Sequence, residues 1–497
     1  MFLDGSALNL EAITKVAFLG EKVQLGESAR EKVIRSREIV ERIIETGQVS
    51  YGINTGFGGL SDVTIANDQL SQLQFNLVRS HCCGFGEPLS VPQVRAMMLL
   101  RANVLAIGCS GCRPEVIDQI CEFLNHGISP VVPSRGSVGA SGDLAPLAHL
   151  ALAFIGEGKV NFRGEIVATS FALERCGLKP LHLKAKEGLA LLNGTQAIGS
   201  VGALALARGH RLLWQATLGG AMTLEALRGT PTAFDDRIHQ VRNHPEQIEV
   251  ASYLREILAD SEIRESHRHG DSRVQDAYCL RCIPQVHGAC LQALNHATLV
   301  LERETAAATD NPLVFAEDNE ILSGGNFHGA PLALALDYAR IALVQLMSII
   351  ERRIDRLVNP EANEGLPAFL ATNPGLESGF MMLHVSAAAA LNEARILAHP
   401  AASDNTPTSG GKEDHVSMGM TSALMTQRVC ELLEVMVSIE WLVAARGLDF
   451  RSPLKAGQKI HVSYLEFRKK IKPMKTDRVI STDLETAIKT LRAMKLP

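Results

Sequence analysis

The sequence predicts an all-α protein: a long central helix bundle preceded by a loop-rich helical region. Three observations carry that prediction. Leu and Ala recur at steps of three and four over long stretches, aromatic residues make up only 5%, and alternating apolar and polar runs are rare.

The elements follow in order. Residues 93–105 form the first strong helix, with Pro92 just ahead of it, where a proline suits a helix start. Residues 115–125 form a second. Residues 159–167 read as a small hairpin turning at Arg163-Gly164. Further helices are expected over residues 196–217, 289–309, 381–398 and 417–445. Residues 332–358 hold no Gly or Pro and carry a stripe of Ala339, Leu343, Leu346, Ile350, Ile354 and Leu357. That stripe is the signature of one buried face on a single long helix. Four glycine-rich loops lie between helices, at residues 51–60, 133–143, 322–331 and 403–414. The natural domain cut falls near residues 179–187, giving 1–185 and 186–497. The last 50 or so residues are more charged and read as a C-terminal helical cap. The chain has no internal repeat.

Composition narrows the function. The 497 residues, 46% hydrophobic and 21% charged, can bury a large core. A net charge of -5 gives no basic footprint for nucleic acid. The Lys/Arg cluster from Arg468 to Lys475 reads as a solvated helix and loop. The first residues lack a basic region followed by an apolar one, so they do not read as a signal peptide. No uninterrupted apolar run of about 18 residues is present, so no membrane span is expected. Ten scattered cysteines suit reduced thiols in the cytoplasm. Cys279-Leu280-Arg281-Cys282 lacks a second pair at zinc spacing, so no metal is expected there. Cys82-Cys83 reads as packing.

The most informative segment runs from Pro133 to His149. It is a glycine-rich loop leading into a helix, with Asp143 as a candidate N-cap. Ser141 stands between Ala140 and Gly142, followed by Asp143. That is not G-x-S-x-G, so a hydrolase elbow is excluded. No P-loop or dinucleotide fingerprint occurs. For Ala-Ser-Gly alone, an ordinary loop before a helix is the simpler reading.

The whole run resembles the signature of the aromatic amino-acid ammonia-lyases and aminomutases. Other segments match that family in order along nearly the whole chain. They are Tyr51-Gly52-Ile53-Asn54-Thr55-Gly56-Phe57-Gly58, Leu192-Asn193-Gly194-Thr195-Gln196, the run from Gln275 to Gln285, Asp310-Asn311-Pro312 and Gly325-Asn326-Phe327-His328-Gly329. The resemblance implies that Ala140, Ser141 and Gly142 cyclise into 4-methylideneimidazole-5-one (MIO), with no external cofactor. The Gly142 amide attacks the Ala140 carbonyl and Ser141 loses water. Ser80-His81 and Glu413-Asp414-His415 resemble the histidine-specific branch. The implied reaction is loss of ammonia from L-histidine to give trans-urocanate, the opening step of histidine breakdown. A neutral His81 and an ionised Glu413 suit an imidazole ring, and a phenyl ring would leave both unpaired.

The resemblance also implies roles. Arg281 holds the substrate carboxylate in a bidentate fork; otherwise it is a surface ion pair. Tyr51 takes the β-proton, with Glu413 as the rival base. A free tyrosine titrates near about 10, so Tyr51 needs its pKa lowered; otherwise it is a packed aromatic. Asn193 and Tyr278 bond the MIO ring or the leaving amine, or Asn193 merely ties a loop. Phe327 packs on the ring or the substrate, or in the core. Gln275 orients the carboxylate or Tyr278. His81 alone would be a structural histidine; beside Ser80 and Glu413 it is assigned to substrate. The family implies a homotetramer with sites drawn from several subunits.

Two departures stand out. Ala330 follows Gly329 where the histidine branch often has Glu, and Gly410-Gly411-Lys412 precedes Glu413, adding a charge beside it. The competing readings are an aminomutase, a tyrosine or phenylalanine lyase, a non-catalytic scaffold, and a fumarase-type lyase. The last lacks its Gly-Ser-Ser-x-x-Met-Pro loop.

Overall fold

A computed structural model describes residues 1–271 and 273–495 of the chain. Among them are nineteen α-helices, and the strands are at most four residues long, in sheets of two or three. The protein is all-α, as its periodicity predicts.

Local rules account for the elements. Helix Val91–Ala106 opens on a capping box: the Ser90 amide donates to Gln93 Oε1 at 2.9 Å, and Pro92 sits in the first turn where its missing N–H costs nothing. Helix Pro114–His126 ends at Gly127 in the left-handed region, at φ 69°. The hairpin pairs Lys159–Phe162 with Glu165–Ala168. Its turn residues Arg163 and Gly164 both have positive φ, 56° and 89°, the twist that a two-residue hairpin requires.

The described chain clusters into two compact units. The first holds residues 1–207, 297–337 and 400–424; the second holds the remainder. Residues 1–185 all lie in the first unit, and so do all four glycine-rich loops. Helices Gln196–Ala226, Ile283–Thr305, Ala330–Val358 and Gly419–Asp449 contribute residues to both, which is why no linker marks a boundary in the sequence.

In the first unit, Ile53 packs fully buried against Ile39, Val40 and Val314. This small cluster fixes the loop that carries Tyr51. In the second unit, all six residues of the apolar stripe are fully buried. Arg353 and Glu440 form an ion pair there with no exposed side-chain surface. Helices Gln458–Lys470 and Ile480–Ala493 join this unit, and Gln215 Nε2 donates to the Leu491 carbonyl at 2.6 Å.

Helix Ala330–Val358 is long and apolar enough to cross a membrane by length and composition, although 67% of its most apolar window is buried within the chain. Arg340 and Arg353 are also fully buried along it, which a packed core helix accommodates and a lipid-facing one does not.

Candidate active site

The loop from Ser137 to Asp143 is gripped from two sides. On one side, Met418 N donates to the Val138 carbonyl at 2.8 Å and Ser417 Oγ donates to the Gly139 carbonyl at 3.0 Å. On the other, Asp143 N donates to the Gly194 carbonyl at 2.7 Å, and Gly142 bridges Gly194. Gly142 has φ +73°, and a Cβ there would lie 2.6 Å from the Gly194 carbonyl carbon. Only glycine satisfies both the dihedral and the approach. The tripeptide backbone is thus held in a tight turn between two fixed strips of chain.

Asp143 departs from the sequence expectation. It stands at the start of helix Leu144–Phe154, but its side chain makes no cap to that helix. Instead its carboxylate accepts from Ile198 N at 2.8 Å and from Ser137 Oγ at 2.8 Å. It therefore caps the long helix Gln196–Ala226. Proximity in space, not in sequence, decides which free N–H groups it meets. Burial pushes its carboxyl up from 3.8 to about 7, against the pull of the Ile198 amide and the Ser137 hydroxyl.

That shift has a signed consequence. The folded state holds this proton more tightly than the unfolded chain. The resulting stability is complete below about pH 4 and is lost as pH rises through about 7. Asp143→Asn is expected to flatten that slope, seen as urea midpoints at about pH 5 and about pH 8 drawing closer together than in the wild type. Equal slopes in both proteins would refute it.

Asn193 lies one residue before the Gly194 bridge. Its Nδ2 donates to the Asn311 carbonyl at 3.1 Å, while its Oδ1 is buried without a partner. The orphaned acceptor suits an amine carrying N–H donors, and the turn that excludes any side chain at Gly142 suits a closed ring. The residues present fit the MIO group.

Two buried cations that sequence reasoning passed over hold this floor. Arg101 donates to the Asn193 carbonyl at 2.8 Å, to Gln196 Oε1 at 2.6 Å and to the Ala190 carbonyl. The available signal was an arginine inside the apolar run Met97-Met98-Leu99-Leu100-Arg101-Ala102. Lys186 Nζ meets Asp310 Oδ2 at 2.8 Å, both side chains fully buried. Asp310 Oδ1 in turn accepts from Asn311 N at 2.7 Å. Nothing local marks Lys186.

Above the floor lies a cavity of about 400 Å³ lined by Tyr51, Ala140, Ser141, Phe327, Lys412 and Glu413, with His328 and His415 among its other walls. Five sequence-predicted residues therefore meet in one place. Tyr51 is presented by a loop splinted by Asn54, which accepts from Ser50 N at 2.8 Å and donates to the Gln48 carbonyl at 2.8 Å. Ser141 Oγ donates to Glu413 Oε1 at 2.6 Å. Glu413 Oε2 accepts from Thr408 Oγ1 at 2.6 Å, a positioning contact that no motif announced. The His328 and His415 rings stack at 5.7 Å. Lys412 stands on the cavity wall, so the charge flagged in the sequence faces the site.

His81 ends helix Leu70–His81 and is not among the residues lining that cavity. Its Nδ1 lies 2.9 Å from the Leu77 carbonyl. A carbonyl only accepts, so Nδ1 carries the hydrogen and Nε2 is left as an acceptor. Burial holds its pKa below the usual histidine range, with the Leu77 carbonyl and the Glu413 charge acting the other way.

Gln275, Tyr278 and Arg281 belong to the second unit. Tyr278 is 71% exposed, and the Arg281 guanidinium lies 4.5 Å from its ring centre. Arg281 Nε is buried without a partner.

Comparison with known proteins places the chain in a family. Residues 8–469 match the family described as aromatic amino acid lyase. A histidine ammonia-lyase of Stigmatella aurantiaca is 52% identical over 97% of this chain and 94% of its own length. The histidine ammonia-lyase structure from Trypanosoma cruzi superposes with a TM-score of 0.92 at 40% identity, covering 99% of this chain and 93% of that one. Tyrosine aminomutase from Streptomyces globisporus gives 0.94 at 36% identity, covering 99% and 96%. The chain belongs to the aromatic amino acid lyase family.

Proposed function

We propose that this chain is a carbon–nitrogen lyase that removes ammonia from L-histidine to give trans-urocanate, using an electrophile made from Ala140, Ser141 and Gly142. The observation that carries the reading is Glu413 set directly against Ser141 in a cavity that also holds Tyr51 and Phe327. Identity of 52% to a histidine ammonia-lyase over nearly the full chain supports the substrate.

When formed, the MIO ring supplies an electrophilic carbon for the amine of the substrate. The rest is the work of side chains. Asn193 Oδ1 accepts a hydrogen bond from the amine and so orients it. Tyr51 is the base for the β-proton, with Glu413 the alternative on the same wall. Glu413 offers a carboxylate, an acceptor that the imidazole N–H satisfies and a phenyl ring leaves empty, and neutral His81 is assigned to the substrate beside it. Phe327 packs against the bound ring. Arg281 forks the substrate carboxylate, Gln275 orients that carboxylate or Tyr278, and Tyr278 joins Asn193 in bonding the ring or the leaving amine.

The exposed Tyr278 and the unsatisfied Arg281 Nε support an active site completed by neighbouring subunits in a homotetramer. Light scattering that reports a monomer would refute that assembly. Ten free cysteines support a reducing, cytoplasmic setting.

The test is incubation with L-histidine while following urocanate absorbance, with Ser141→Ala as the control. Urocanate is expected from the wild type and none above background from the variant. β-Histidine as the main product would make the chain an aminomutase. No product from either protein would overturn the enzymatic reading.

A further inference from the structure

We propose that Glu413 acts before any substrate arrives: it delivers the proton that carries the Ser141 hydroxyl away as water while the loop matures. This rests on the reading of Ala140-Ser141-Gly142 as a self-cyclising tripeptide.

The geometry is specific. Ser141 Oγ and Glu413 Oε1 are 2.6 Å apart, although the residues are 272 positions apart in the chain. The second carboxyl oxygen is taken by Thr408 Oγ1 at 2.6 Å. Thr408 N also donates to the Glu413 carbonyl at 2.8 Å, and Glu413 N to the Thr408 carbonyl at 3.3 Å. One bond from Thr408 thus holds the carboxyl and two backbone bonds between the same residues hold the chain that carries it, and the only group its free oxygen meets among the described contacts is the Ser141 hydroxyl. An ionised Glu413 accepts from that hydroxyl; a protonated one reverses the bond and donates to Oγ.

The chemistry needs such a donor. In ring closure, Gly142 N bonds to the Ala140 carbonyl carbon. The first water takes the Ala140 oxygen, the Gly142 amide hydrogen and the Ser141 amide hydrogen. In the second step, solvent takes the Ser141 Cα proton, and that electron pair forms the Cα–Cβ double bond. The Cβ–O bond breaks, and the departing oxygen picks up the Glu413 proton and leaves as the second water. An unassisted hydroxide is a poor leaving group, and a proton donor at hydrogen-bond distance removes that obstacle. Glu413 is left as a carboxylate, the form that the proposed imidazole clamp uses. One residue would thus prepare the site and then serve in it.

The experiment follows the intact mass of the full chain during cell-free synthesis, for wild type, Glu413→Gln, Thr408→Val and Ser141→Ala. Circular dichroism and gel filtration report folding. Wild type is expected to lose two waters. Glu413→Gln keeps the hydrogen bond but lacks the acidic proton. It is expected to lose the first water at the normal rate and the second roughly 100-fold more slowly, so that a species lacking one water accumulates. Thr408→Val leaves the carboxyl present but loosely held, and slows the second loss by a smaller factor. Loss of both waters at the wild-type rate in Glu413→Gln would overturn the proposal, as would an unchanged second step in Thr408→Val if Glu413→Gln fails to fold. A wild type that loses no water would instead overturn the cyclisation reading itself.

Discussion

Replacing Gly142 with alanine is expected to abolish the modification and the activity together. The added Cβ would sit 2.6 Å from the Gly194 carbonyl carbon, on a residue with φ +73°. A non-glycine residue in the left-handed region costs of order 1–3 kcal/mol before any clash. The overlap is with backbone, which cannot rotate away. Gly194 is itself hemmed in, since a Cβ there would crowd Thr309 Oγ1 at 2.8 Å, so the neighbouring strip has little room to retreat. The turn must open, and the attacking amide then leaves the Ala140 carbonyl. Intact mass should retain both waters, and urocanate formation should fall by at least about 10³-fold, as when a covalent step is removed. A Gly142→Ala protein that sheds two waters would refute the claim that this contact holds the turn closed.

The second large effect is on stability. Lys186→Met is expected to destabilise the fold by about 3–5 kcal/mol, the usual cost of leaving one member of a buried ion pair uncompensated. Both side chains of the Lys186–Asp310 pair are fully buried. Asp310 Oδ1 also accepts from Asn311 N, and the Asn311 carbonyl accepts from Asn193 Nδ2. The loss therefore propagates to the floor of the site. The double variant Lys186→Met/Asp310→Leu removes both charges and should recover much of the loss, because an apolar replacement of a buried pair is often close to neutral. Urea denaturation of the two variants side by side is the measurement. A single variant within about 1 kcal/mol of wild type would mean that the pair is not desolvated as its burial implies.

Arg101 makes the same physical point from the opposite direction. It lies in a helix whose other residues are nearly all buried and mostly apolar. An arginine there is tolerated because three acceptors reach it. The sequence displayed the anomaly, a charge in an apolar run, but not the partners that resolve it.

The features legible from the residues alone are local. Steps of three and four gave the helices, the Arg163-Gly164 turn gave the hairpin, and the Gly142 dihedral is the kind only glycine adopts readily. The motif residues Tyr51, Ala140, Ser141, Phe327 and Glu413 were legible as candidates because each sits in a short, recognisable string. Which residues meet is settled by the folded chain. Asp143 caps a helix that begins more than fifty residues later. Thr408 aims Glu413 at Ser141, and Lys186 neutralises Asp310. Periodicity records how a residue faces its own helix. It carries no record of which distant chain closes on it, because that choice is made by packing and by the need to pair every buried polar group.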